Sequence, residues 1–334
     1  MAARIEAAPS PEVVDLRRLN SHDLRELLEE ETAAWREVLH WDFSKSADLV
    51  RRFVDLRSLQ GYALVSGREV VGYSYFVVED RKGLIGDLYV RRPFASPPNE
   101  ARLFSEIVGA LVASREVDRI ESQLLMAHSG ARLRMPAPRL LRSFERDFML
   151  LNFADAPSKW TPRRPLRRPV YIERWSEQFQ ESAAQLIASA YKDHLDSAIN
   201  DQYRSPAGAR RFLFNIVQYP GCGLFFRPGS FAAFAGESGR MVAMCLASMV
   251  APDCGHITQI CVSPEARGMG LGFDLLCRSL AALRDAGARE TSLTVTASNT
   301  EAIRLYESLG FVTIRKFSAY VWEGLSRTGA LQFT

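Results

Sequence analysis

The stretch Gly255–Leu276, GHITQICVSPEARGMGLGFDLL, constrains this chain more than any other. Ile257 to Val262 is an apolar, β-branched run and predicts a strand. Pro264 stops it, and Arg267 to Gly272 form a glycine-rich loop. Leu271, Leu275, Leu276 and Leu280 then fall at helical spacing. Strand, glycine loop and helix N-terminus together make a phosphate cradle. Glycine lets backbone approach closely, free N–H groups point outward, and the helix dipole favours an anion.

Two common phosphate loops fail on spacing. A Walker loop needs Lys after its last glycine, and none follows here. A Rossmann fingerprint needs G-x-G-x-x-G directly after the strand. Here Gly268, Gly270 and Gly272 give G-x-G-x-G, and Phe273 stands where the third glycine would be. What fits is R-x-x-G-x-G at Arg267, Gly270 and Gly272, after Val-Ser-Pro. This resembles motif A of the GNAT family of N-acetyltransferases, whose loop binds the pyrophosphate of coenzyme A. Downstream, TASNTEAIRLYESLGF resembles the second motif of that family, N-x-x-A-x-x-x-Y-x-x-x-G-F, through Asn299, Ala302, Tyr306, Gly310 and Phe311. The resemblance covers roughly residues 169 to 334.

The order of predicted elements extends the resemblance to the whole chain. Strand signals at 12–19, 61–66, 69–79, 83–90, 119–125 and 148–153 alternate with helical signals from Ser21, at 47–59 and at 99–114. The second half repeats this order, with strands at 170–175, 230–236, 241–250, 256–262, 291–297 and 311–323. Its helical signals run from Ser176 to Tyr191, over 207–217, after the glycine loop, and over 300–309. A period of about 160 residues is too long for a solenoid repeat. The fold class expected is α/β (α+β): two tandem GNAT-like domains, each a mixed, mostly antiparallel central sheet flanked by helices. The expected bounds are 1–155 for a degenerate, structural copy, 156–169 for a Pro/Arg-rich linker and 170–334 for the catalytic copy. In the first copy Phe94, Pro97 and Pro98 stand where glycines should be, and proline offers no N–H to a phosphate. A degenerate first half before an active second half also resembles the mycothiol-synthase type of tandem member.

Bulk properties narrow the class further. No segment approaches the ~18 uninterrupted apolar residues of a membrane span. No secretory signal is visible at the start, and five scattered cysteines without a C-x-x-C pair suit a reducing compartment. The expectations are a cytoplasmic protein, no metal and no membrane association. Net charge is +3, yet Lys159 to Arg168 alone carry five basic residues and no acidic one. A basic run in a proline-broken connector is ordinarily solvated, so no nucleic-acid partner is expected.

The resemblance implies acetyl-CoA as cosubstrate, held by Ile260, Cys261, Val262, Arg267, Gly268, Met269, Gly270, Leu271, Gly272, Asn299, Ala302 and Tyr306. Each has a plainer reading beside it. Asn299 and Gly310 suffice as helix caps. Tyr306 lies on the apolar stripe of its helix, but the resemblance implies a hydroxyl aimed at the thioester sulfur, ready to protonate the departing thiolate. Cys261 reads as a small strand hydrophobe rather than an acyl carrier. His256 is the candidate base, with an ordinary pKa of ~6.5. It would share one strand face with positions 258, 260 and 262; a strand-end hydrogen bond is the other reading. His194 follows a helix and could reach the acceptor side.

These implications amount to an acyl-CoA-dependent N-acyltransferase that moves acetyl to a small-molecule or peptide amine by direct attack, in a monomer or homodimer. The alternatives are a non-catalytic coenzyme A sensor and a protein N-terminal or lysine acetyltransferase. Isothermal titration with acetyl-CoA is expected to give one site per chain, and Gly270→Pro to abolish it by removing an N–H from the loop. A stoichiometry of two would contradict the asymmetry between the halves.

Overall fold

The computed structural model describes residues 10–127, 135–157, 160, 169–219, 221, 223–236 and 238–325. Most of the 156–169 linker, with its basic run, lies outside these residues, as do His128 and Cys222. In chain order the elements begin β1 Glu12–Asp15, α1 Arg25–Leu39, α2 Ser44–Asp55, β2 Gln60–Ser66, β3 Glu69–Glu79, β4 Lys82–Val90, α3 Pro97–Ala113, β5 Arg119–Gln123 and β6 Leu141–Asn152. They continue with β7 Val170–Arg174, α4 Gln180–Ala190, α5 Asp196–Ile199, α6 Pro206–Gln218, β8 Leu224–Phe225, β9 Phe231–Ala235 and β10 Met241–Ala251. The last are β11 Cys254–Val262, α7 Leu271–Asp285, β12 Glu290–Thr296, α8 Thr300–Leu309 and β13 Val312–Glu323.

The chain separates into two compact units that do not follow chain order. One takes the described residues up to Phe144 together with those from Phe317 onward; the other is Glu145–Lys316. The sequence-based bounds of 1–155 and 170–334 therefore differ from these units. Both β6 and β13 are long strands whose two ends belong to different units.

In the first unit the strand order is β1-β2-β3-β4-β5, with Ala319–Glu323 of β13 antiparallel to β5. Leu103, Phe104, Ile107 and Leu111 of α3 pack with Ile85, Ile120 and Trp322 in one core. In the second unit the order is β6-β12-β11-β10-β9-β7, with β8 beside β10. Alternation along β10 from Ala243 to Ala247 gives each face its own packing. Ala243, Cys245 and Ala247 meet α7 and α8 in one core, while Met244 and Leu246 meet α4 and α6 in another.

Matching close approaches reveal the repeat. A Cβ on Gly83 would lie 2.7 Å from Leu111, and one on Gly255 would lie 2.8 Å from Leu283. The spacing of about 160 read from the sequence holds at the start of the two copies, where β1 and β7 begin 158 positions apart, and lengthens within them, where each of these residues is 172 positions from its counterpart. A bulge recurs at the same offset. The pairing of β3 with β4 skips Gly86, and that of β10 with β11 skips Thr258. The residues that follow are polar and buried, Asp87 in the first unit and Gln259 in the second. Asp87 is hydrogen-bonded to Glu31, which also accepts from the Tyr73 hydroxyl at 2.8 Å. Burial raises both carboxyls, Asp87 to about 6.

Trp322 is fully buried although it lies near the end of the chain. Trp322→Ala should cost about 3–5 kcal/mol, the usual penalty for emptying a large aromatic site. Urea denaturation checks this, and a loss under 1 kcal/mol would show that the last strand does not support the first unit.

Candidate functional site

The site in the second unit begins with two strands that part. β11 and β12 run parallel and pair at only three positions, Cys254–Glu290, Gly255–Thr291 and His256–Ser292. Beyond these, Ile257–Val262 and Leu293–Thr296 make no pairs with each other, so a V opens toward the ends of both strands. The edge of β11 facing this V carries backbone groups without a strand partner, which a bound chain can satisfy.

The glycine loop lies directly after β11. Gly268 and Gly270 have φ of 71° and 87°, which favours glycine at both places. Gly270 caps α7, and the amides of Gly268, Gly270 and the first turn of the helix have no acceptor among the described residues. Gly272 has no such constraint: an added Cβ would make only ordinary contacts with Val262 and Leu305. The Arg267 guanidinium donates to Ala190 O at 2.8 Å and ties the loop to the end of α4. Loop amides, not this side chain, are thus the groups left open to an anion.

Helix α8 closes one side of the V. Asn299 caps it by accepting from Ala302 N–H, and Gly310 ends it at φ 105°. The Tyr306 ring is buried against Phe311. Its hydroxyl makes no hydrogen bond among the described residues. Burial raises its pKa well above the ordinary phenol value, so the group keeps its proton throughout the physiological range.

Helices α4 to α6 supply a polar cluster on the other side. Gln259 donates to the Tyr191 hydroxyl at 2.8 Å and accepts from Tyr203 at 3.1 Å. The Tyr191 and Tyr203 rings stack with centroids 4.4 Å apart, and Tyr191 also donates to Ile260 O. Arg146 on β6 donates to Thr296 at 3.0 Å and Thr294 at 3.2 Å. Asp196 accepts from Thr296 at 2.5 Å. His194 lies beside them, its Nδ1 accepting the Asp196 amide at 3.1 Å. Sequence reasoning assigned no role to Arg146, Asp196, Tyr203, Gln259 or Thr296. Their signal is faint: single polar residues in strands that otherwise read as apolar, and a one-turn helix too short for periodicity.

His256 is placed differently from expectation. The bulge at Thr258 reverses the alternation of β11. Ile257, Ile260 and Val262 therefore pack with the α7 core, whereas Cys261 packs with the α4–α6 core. His256 does not share a face with positions 260 and 262. Its Nδ1 lies 3.0 Å from Ser292 Oγ, and burial pushes its pKa down to about 3 rather than leaving it near the ordinary value. Cys245, Cys254, Cys261 and Cys277 are buried and form no disulfide among the described residues, and burial raises the Cys261 thiol far above the ordinary range. A thiolate nucleophile is therefore strongly disfavoured there.

In the first unit a carboxylate of the chain itself sits at the start of the corresponding loop. Glu30 accepts from the Arg92 amide at 2.7 Å and pairs with the Arg91 guanidinium at 2.9 Å. Arg91 also contacts Glu26 and Glu69. Pro97 and Pro98 occupy the first positions of α3, where free N–H groups would otherwise lie.

Among the described residues no helix is long and apolar enough to cross a membrane, and no group of three or more His, Cys, Asp or Glu could hold a metal ion. Residues 188–311 match the family model described as Acetyltransferase (GNAT) family. A mycothiol acetyltransferase of Acidimicrobium ferrooxidans is 28% identical over 287 residues, covering 80% of this chain and 84% of that protein. One from Thermobispora bispora is 49% identical over 57 residues, so the chain spans only 19% of its length in that match. Two solved structures share the fold across most of the chain. A GCN5-related N-acetyltransferase from Sphaerobacter thermophilus has a TM-score of 0.66 at 18% identity, covering 93% of this chain and 95% of that one. A tandem GNAT protein from the clavulanic acid biosynthesis pathway has a TM-score of 0.55 at 14% identity, covering 94% and 98%.

Burial of His256 carries a stability consequence. The unfolded chain binds a proton there below pH ~6.5, while the folded chain binds it only near pH 3. Stability should therefore fall as the pH drops through that window, by about 1.4 kcal/mol per unit. Between about pH 6.5 and 4.5 the wild type should lose about 2–3 kcal/mol more than His256→Gln in denaturant titrations. Parallel losses in the two proteins would contradict a buried, neutral imidazole.

Proposed function

Proceeding from a GNAT domain in the second half of a tandem GNAT-fold chain, we propose that this protein transfers an acetyl group from acetyl-CoA to a primary amine in its second unit. The observation that carries the reading is the Tyr306 hydroxyl. It is protonated and without a partner, and its helix borders the opening that the glycine loop adjoins.

The residues present suit coenzyme A. The open amides of Gly268, Gly270 and the first turn of α7 would hold the pyrophosphate, with Met269 and Leu271 shaping the same loop. The unpaired edge of β11 at Ile260–Val262 would accept the extended arm, with Asn299 and Ala302 at the start of the facing helix. When bound, the coenzyme supplies an activated thioester. The contribution of the chain is position and polarity: N–H groups on the edge of β11 left unpaired by β12 would face the place where carbonyl charge develops, and Tyr306 would donate its proton to the leaving sulfur. The amine attacks directly in its neutral form, because Cys261 holds its proton too tightly to act as an acyl carrier, and the proton its nitrogen sheds passes through solvent to restore the Tyr306 phenol. His256, neutral at working pH and bonded to Ser292, serves at most as a link in a proton relay. The likeness to mycothiol acetyltransferases supports a small amine as acceptor.

Tyr306→Phe should lower kcat about 10- to 1,000-fold, within the usual range for general acid assistance. The Kd for acetyl-CoA should stay within about twofold, because the ring is retained. Single-turnover release of free thiol, followed with a chromogenic reagent, checks this. Unchanged single-turnover rates would return Tyr306 to a packing role.

A further inference from the structure

We propose that Asp196 receives the ammonium group of the acceptor, so that the acceptor is a cationic primary amine. The inference rests on the acetyltransferase reading and names the chemistry of its second substrate.

Asp196 is held with one oxygen clamped and the other open. Oδ1 accepts from Thr296 Oγ1 at 2.5 Å and from Arg146 Nη1 at 3.5 Å. The nearest polar group recorded for Oδ2 is His194 Nδ1 at 4.0 Å, beyond hydrogen-bond reach. The surrounding segment is fixed by local bonds. The Asp196 amide donates to His194 Nδ1, and Ser197 Oγ donates to His194 O at 2.7 Å. The side chain remains 18% exposed, enough to be reached from solvent.

Its place relative to the chemistry comes from β12: Thr296, whose hydroxyl it accepts, is the last residue of that strand, at the open end of the V. The Asp196 charge acts on the hydroxyls of Tyr191, Tyr203 and Tyr306, three groups from three elements that converge on the V. An alkylamine arrives protonated at neutral pH. Bringing that cation into a partly buried site costs several kcal/mol unless an anion meets it. Arg146 and Thr296 already satisfy Oδ1 and fix the orientation of the carboxylate, which leaves Oδ2 to supply the anion. The tyrosine, threonine and glutamine groups nearby offer neutral hydrogen bonds, so an amine with neighbouring hydroxyl or amide groups suits the site best.

The test uses the full-length chain with acetyl-CoA and two cationic probes, D-glucosamine and cysteamine. Asp196→Asn should raise the KM for each probe about tenfold or more, the usual effect of removing a charge partner. The Kd for acetyl-CoA by titration should stay within about twofold, and Asp196→Glu should keep most of the acceptor affinity. Unchanged acceptor KM in Asp196→Asn overturns the inference while leaving the acetyltransferase reading intact. So does a variant that loses acetyl-CoA binding and thermal stability together, since that marks a structural role. A wild type that binds acetyl-CoA but acetylates neither probe also overturns it. A wild type that binds no acetyl-CoA instead contradicts the acetyltransferase reading itself.

Discussion

Parallel strands in a sheet normally stay paired along their length; here β11 and β12 separate after three residue pairs, and the rest of the second unit is arranged around that separation. Strand edges without partners are costly when buried, so they persist where something else satisfies them. The bulge at Thr258 lies two residues beyond the last pair and bends β11 away. It also turns Gln259 and Cys261 toward α4 and α6, and Ile260 and Val262 toward α7. One local irregularity thereby opens the V and sorts the side chains that line it.

The first unit retains this geometry without the same chemistry. Its β4 and β5 also part, after Ile85–Ser122, and its bulge falls at the matching place. Yet the loop after β4 takes its anion from within the chain, through Glu30 on Arg91 and the Arg92 amide. The Arg92 amide is the counterpart of Pro264 at the start of the loop, while at the helix end Pro97 and Pro98 withhold the N–H groups that a phosphate would need. The buried, proton-rich Asp87, bonded to Glu31, then occupies the position that Gln259 holds in the second unit.

Much of the fold was legible in the sequence because apolar periodicity and turn residues act locally. The bounds of α8 are those read from its Asn299 and Gly310 caps, and β3 spans the run from Glu69 to Glu79. Strand β6 starts at Leu141, well before the expected Phe148, since Arg142, Glu145 and Arg146 interrupt its apolar pattern. The division into compact units was not legible, because the last strand belongs with the first half only through distant pairing with β5. At the site, the glycine loop and Tyr306 announced themselves by motif. The face and pKa of His256 did not, since both depend on a bulge and on burial that no local pattern encodes. Asp196 and Arg146 escaped for the same reason: fifty residues apart in sequence, they meet only through β6 and the segment after α4.

The central claim is that the coenzyme occupies the loop after β11 and not its counterpart after β4. Hydrogen exchange measured by mass spectrometry, with and without saturating acetyl-CoA, tests this most directly. Slowed exchange should appear in peptides covering residues 262–276, where the open amides of Gly268 and Gly270 lie, and be absent over residues 90–103. Equal protection of both segments, or protection of residues 90–103 alone, would contradict the account.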